Sequence, residues 1–215
     1  MTTHRSAAAI LMTFALAPTG ALASNSIGLQ VAGSISPTSC EVSLRDGVLD
    51  LGDIGMGDLN PIETEYTHFV DKDNTLLVEC GGPARFALKA RDLATGGGNG
   101  RERYGLGLGS NGKPTGHFVL TEQYHGAMAD AKAAYVTGSE DLASWSASTD
   151  SSIPFSQGAY YVGLNKTGGV TSGPDFIRSA SMSLSIAVYI APKVDLVLED
   201  ELTLAGDVSF EIAYF

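Results

Sequence analysis

A chain of 215 residues with 24 Asp and Glu against 13 Lys and Arg carries a formal net charge of −11. That balance argues against nucleic acid and against anionic lipid surfaces as partners. Its length suits one large β domain or two small ones, and 26 glycines suit a turn-rich β protein rather than a helical one.

The chain opens with Arg5, an apolar run from Ala7 to Ala17, and the small-x-small triplet Ala21, Leu22, Ala23. Residues 1–23 therefore read as a secretory signal peptide, too short for a membrane span and followed by no stop-transfer sequence. No other stretch is long and apolar enough to predict a membrane span. The protein is expected to be exported to the periplasm and from there to the cell surface. Cys40 and Cys80 are the only cysteines. In an oxidising compartment they predict a structural disulfide, and two cysteines forty residues apart with no nearby His make a poor metal site.

From Leu29 to Ile35 apolar residues alternate with small or polar ones, the period of a strand with one buried face. Short strands are expected at Glu41–Leu44, Val48–Leu51, Leu76–Val78 and Arg85–Ala90. Residues 93–103 are Gly-rich and read as a loop. Tyr104–Leu108 and His117–Thr121 suggest a hairpin turning at residues 110–114. Residues 122–134 are the one helix-tolerant stretch. Residues 137–157 are Ser-rich and poorly patterned, and read as an insertion or long loop. Further strands are expected at Ala159–Leu164, Ser181–Ile190, Val194–Leu198 and Val208–Phe215. Strands at this spacing predict an all-β sandwich in one domain.

The two ends carry the functional signal. Leu29, Val31, Gly33 and Ile35 share one face of a segment that precedes the first cysteine and is free to leave the body. Val208, Phe210, Ile212 and Tyr214 share one face of the last strand, whose free edge has nothing after it to cover it. Together these predict strand exchange between subunits. The alternative is a complete sandwich in which residues 29–35 pair within their own domain.

A Gly seven residues before the first Cys (Gly33, Cys40), a second Cys forty residues later (Cys80) and the penultimate Tyr214 on an alternating final strand resemble the pilins of chaperone–usher fimbriae. More closely still, the whole chain resembles a fimbrial-like family often encoded beside fimbrial chaperones and ushers. That likeness runs through residues 31–40, 86–92, 104–108, 190–192 and the final fourteen residues. The resemblance implies an incomplete immunoglobulin-like sandwich, residues 40–215, completed by a donor strand from the extension at residues 24–39 of another subunit. Leu29, Val31, Gly33 and Ile35 would be the donor positions. Val208, Phe210, Ile212, Tyr214 and Phe215 would form the strand that a periplasmic chaperone grips before an outer-membrane usher and neighbouring subunits take over. The chain departs from the pilin pattern at Leu202, where many pilins have Gly, at Pro37 within the donor region, and in its longer body.

Signs of other chemistry are weak. Residues 107–113 match a phosphate-loop spacing, but Pro114 stands where the metal-binding Ser or Thr belongs, and a hairpin turn is the better reading. His68, His117 and His125 show no metal-ligand spacing. Asp71, Asp73 and Asn74 alternate as in calcium loops but lack the Gly and distal Glu, so they read as a solvated turn. Trp145, Tyr135, Tyr160 and Tyr161 could stack on sugar but read better as core. No catalytic residue, metal or cofactor is expected. The reading is a non-enzymatic fimbrial subunit with a role in adhesion. The alternatives are a self-closed surface protein or minor tip adhesin binding host or surface glycan through loops 93–103 and 137–157, and a secreted hydrolase of sandwich fold.

Overall fold

A computed structural model describes residues 29–31, 39–96, 100–197 and 201–215. The chain divides into two units, Met1–Ser36 and Pro37–Phe215. In the first, Leu29 and Val31 are about nine-tenths exposed and belong to no strand; Gly33 and Ile35 lie outside the described residues.

The second unit is an all-β sandwich of two antiparallel sheets. One runs in the order β1 (Cys40–Leu44), β2 (Thr67–Ala84), β10 (Ile177–Ile190), β5 (Gly116–Ala129), β4 (Tyr104–Gly105), with the short β6 (Lys132–Ala133) and β8 (Ile153–Pro154) also pairing with β5. The other runs β11 (Val208–Tyr214), β3 (Phe86–Asp92), β9 (Tyr161–Asn165), β7 (Tyr135–Ser139). The chain crosses from one sheet to the other at Arg85, between β2 and β3. The Arg85 guanidinium holds that corner by donating to the carbonyls of Pro174 at 2.8 Å and Ser172 at 2.7 Å.

Alternation along the strands decides what meets inside. Leu76, Val78 and Cys80 from β2, Phe118 and Leu120 from β5, and Met182, Leu184 and Val188 from β10 pack against Phe86, Leu88 and Ala90 from β3 and Val162 and Leu164 from β9. Cys40 and Cys80 stand opposite each other in the β1–β2 register and form the expected disulfide.

Several expected elements differ. The turn expected at Asp71–Asn74 lies within β2, where Asp71, Lys72 and Asp73 face Ala187, Ile186 and Ser185 of β10. β1 leaves β2 beyond Leu76, so this half of β2 has β10 as its only described strand partner, and a charged run suits such an edge. The helix-tolerant stretch at 122–134 is the end of β5, a tight turn and β6. Residues 123–126 bulge out between the Glu122–Leu184 and Ala127–Met182 pairs, with His125 at φ 55°. The bulge breaks the two-residue period and thereby hides the strand.

Val48–Leu51 forms no strand, and residues 193–195 form a short 3-10 helix where a strand was expected; Leu198 lies outside the described residues. The stretch 137–157, expected as an insertion or long loop, holds the end of β7 and all of β8, and its loop between them is tied down. Ser146 N donates to Gly138 O at 2.9 Å, Val136 and Thr149 bridge each other, and the Ser148 hydroxyl donates to Thr167 O at 2.8 Å while accepting from Val170 N at 2.9 Å. Hydroxyl-to-backbone bonds order a segment without leaving any apolar period to read.

Candidate functional site

β1 ends one sheet and β11 ends the other, and the two edges converge at one end of the sandwich. There the Cys40 amide donates to the Tyr214 hydroxyl at 2.7 Å. From this junction β1 and β11 run apart. Arg45 N still donates to Thr75 O and Asp46 still bonds the Asn74 side chain. Beyond them the chain leaves β2 and continues as an irregular lip to residue 54, while residues 201–207 lead into β11 as the facing lip.

Between the lips lies an open groove of about 930 Å³. Its floor is the inner face of the larger sheet: Phe118 and Leu120 of β5 with Leu184, Ile186, Val188 and Ile190 of β10. Leu49 and Leu51 line one wall, and Leu202, Leu204, Val208 and Phe210 the other. Leu49, Leu51, Ile186, Val208 and Phe210 pack against the core yet stay half-exposed. The floor itself is almost closed to solvent, with Phe118, Leu120, Leu184, Val188 and Ile190 all buried, so the apolar surface the trough offers is mainly that of its walls.

The charged residues lining the groove are all acidic: Asp46, Asp50 and Asp53 on one lip, Glu201 and Asp207 on the other. None of the five joins an ion pair among the described residues.

Of the residues expected on the last strand, Val208 and Phe210 line the groove, Ile212 packs on the core farther along, and Tyr214 makes the junction with Cys40. Phe215 is clamped, its ring stacked on Trp145 at 5.5 Å and capped by the Arg85 guanidinium at 5.2 Å. A cation over an aromatic face is attracted by the ring quadrupole, so this end of β11 is held by its own domain. Sequence reasoning missed the groove floor and both lips. Alternation at Leu49 and Leu51 and at Leu202 and Leu204 was a signal, but it marked groove walls rather than strands.

Elsewhere, Tyr160 packs against the core and Tyr161 lies beneath Lys89. Among the described residues, Tyr135, Tyr160, Tyr161 and Trp145 form no aromatic pair with one another. Residues 109–113 close the expected hairpin turn through Gly109 N to Lys113 O at 2.8 Å, and Lys113 pairs with Asp195 at 2.7 Å. His68 and His117 stack on opposite sides of Tyr189, at 4.9 and 5.0 Å, with Tyr66 edge-on to His117. Burial, with the Arg103 charge adding to it, pushes the His117 imidazole down to about 4.

Glu122 is fully buried beneath the β5 bulge. Its Oε2 has no partner, and burial pushes its carboxyl up to about 8 against a smaller opposing effect of the hydrogen bond from Gly126 N. Among the described residues no three His, Cys, Asp or Glu side chains are placed to hold a metal ion. A scan against protein-family models finds no match, and a search of curated proteins finds no relative.

Proposed function

We propose that this chain is a fimbrial-like structural subunit joined to its neighbours by strand exchange, with an adhesive role at the cell surface. The observation that carries the reading is the apolar groove between the lip at residues 46–54 and the lip at 201–207 with the start of β11, whose walls at Leu49, Leu51, Val208 and Phe210 stay partly exposed. In this reading the sandwich is an immunoglobulin-like body short of one strand, and the segment bearing Leu29, Val31, Gly33 and Ile35 of another copy supplies it. Leu29 and Val31, unpaired and exposed, are in keeping with a segment that finds its partner elsewhere.

Each large apolar side chain fully buried stabilises the joint by about 1.5–3 kcal/mol, and main-chain pairing along both edges adds specificity. A periplasmic chaperone would occupy the groove first, and an outer-membrane usher would direct the exchange. No catalytic step is assigned.

The donor segment gives the test. Gly33 would meet the groove where a side chain has least room. Gly33→Trp is therefore expected to leave chaperone binding intact, because the groove is unchanged, and to block joining to the next subunit. The readout is the ladder of joined subunits on unheated denaturing gels after the purified chaperone complex is mixed with fresh subunits. A Gly33→Trp protein that forms the same ladder as the wild type would remove Gly33 from any tight position.

A further inference from the structure

The five carboxylates around the groove join no ion pair among the described residues. All are exposed, and only Asp50 makes a side-chain hydrogen bond among the described residues, accepting from Gly52 N at 2.9 Å within its own lip. They line both lips of an apolar trough whose lining has no Lys or Arg. A strand entering the trough must lie between them, with its outward-facing side chains at the level of the rim.

Segment 24–39 has no Asp, Glu, Lys or Arg in a chain of net charge −11. The two strands that flank the groove carry a carboxylate each, Glu41 in β1 and Glu211 in β11, and the unshared half of β2 carries Asp71 and Asp73 beside Lys72, whereas the β7 edge is uncharged.

Resting on the strand-exchange reading, we propose that Asp46, Asp50, Asp53, Glu201 and Asp207 form an electrostatic filter that determines which strand the groove accepts. The rim rejects extended segments bearing carboxylates and admits the charge-free donor. Like charges set side by side cost affinity, and such repulsive elements are an effective source of discrimination between similar partners. In an array of identical subunits, every copy offers the same few edges. The filter sets the charge-free donor segment apart from β1 and β11, and keeps those two strands of one copy from invading the groove of the next. The same rim favours a strand with Lys or Arg at its outward positions.

The experiment uses fluorescent peptides of residues 25–37 added to the purified complex of the chain with its chaperone, and follows by anisotropy their uptake into the groove as the chaperone is displaced. If Leu29, Val31, Gly33 and Ile35 face inward, Gln30 and Ser34 face the rim. One peptide keeps the natural sequence, one has Gln30→Lys and Ser34→Lys, and one has Gln30→Glu and Ser34→Glu. At low salt the Lys peptide is expected to bind roughly tenfold more tightly than the Glu peptide. At about 0.5 M salt, where the screening length is only a few Å, the difference should shrink to within about threefold.

In the Asp46→Asn, Asp50→Asn, Asp53→Asn variant the low-salt difference should collapse, while the natural peptide binds as before. Equal affinities of the Lys and Glu peptides at low salt would overturn the filter while leaving strand exchange standing. So would a difference that survives both high salt and the Asn variant. Binding by none of the three would count against strand exchange itself, and the filter would fall with it.

Discussion

Replacing Cys40 and Cys80 together by Ser will lower the free energy of unfolding by about 4 kcal/mol. That is the loop-entropy value for a bond closing a loop of forty residues. The effect should exceed that of most single substitutions, because the bond fastens an element with little else to hold it. β1 is five residues long, pairs with β2 alone, and contributes Val42 and Leu44 only half-buried to the core. Hydrogen bonds at its two ends, from Gly81 N to Ser39 O and from Arg45 N to Thr75 O, extend the same pairing with β2, and Cys40 N donates to the Tyr214 hydroxyl. Without the disulfide, β1 frays, one wall of the groove loses its root, and strand binding falls along with stability. Urea unfolding of the oxidised protein and of the double Ser variant, each completed by a bound peptide of residues 25–37 and with the slope checked for constancy, measures the first effect. A loss under about 1 kcal/mol would mean that β1 is held by packing and not by the covalent tie.

Stability will be highest on a plateau between about pH 4.5 and 6.5, and two buried groups produce it. His117, pushed down to about 4, stays neutral in the folded protein while the unfolded chain takes up a proton as the pH falls below 6.5. The unfolded state then binds more protons, so stability falls from pH 6.5 towards 4. Glu122, pushed up to about 8, keeps its proton in the folded protein while the unfolded chain has lost it above 4.5. The folded state then binds more protons, so stability falls from pH 4.5 towards 8.

Where the windows overlap, the two one-proton slopes oppose each other, and outside the overlap each acts alone. Glu122→Gln keeps an acceptor for Gly126 N and cannot ionise. It should flatten the alkaline flank and stabilise the protein by about 1–3 kcal/mol at pH 8, the scale of an unsatisfied buried polar group. Urea midpoints of the two proteins at pH 5.5 and pH 8 test this directly. An alkaline flank unchanged in Glu122→Gln would assign it to another group.

The fold was legible where a strand has one buried and one solvated face. β1 and most of β10 carry that alternation, and the disulfide followed from there being two cysteines. It was illegible where local chemistry and tertiary role part company. The first half of β2 reads as a turn because Asp71, Lys72 and Asp73 lie on a strand with a solvated edge, where charge protects the edge without improving packing. The end of β5 reads as helix-tolerant because a four-residue bulge shifts the period between Glu122 and Ala127.

The groove shows the limit most clearly. Its walls and floor come from residues 44–54, 118–120, 184–190 and 201–210, brought together only by the topology. Leu49 and Leu51 alternate as a strand would, yet they have no ladder partner among the described residues; their period records contact with a trough. The alternation of Leu29, Val31, Gly33 and Ile35 was visible as a pattern in the sequence, while the groove proposed to receive such a segment required the two sheets to be in place.

The central claim is that the sandwich needs a strand from outside its own body, and expression in the periplasm with and without a fimbrial chaperone tests it most directly. Size-exclusion chromatography and thermal unfolding then report what has formed. The account predicts a chain that aggregates or is degraded alone and is recovered as a one-to-one complex with the chaperone, its groove filled by a chaperone strand. A stable monomer that unfolds cooperatively without any chaperone would contradict it, since the groove would then need no strand from a partner.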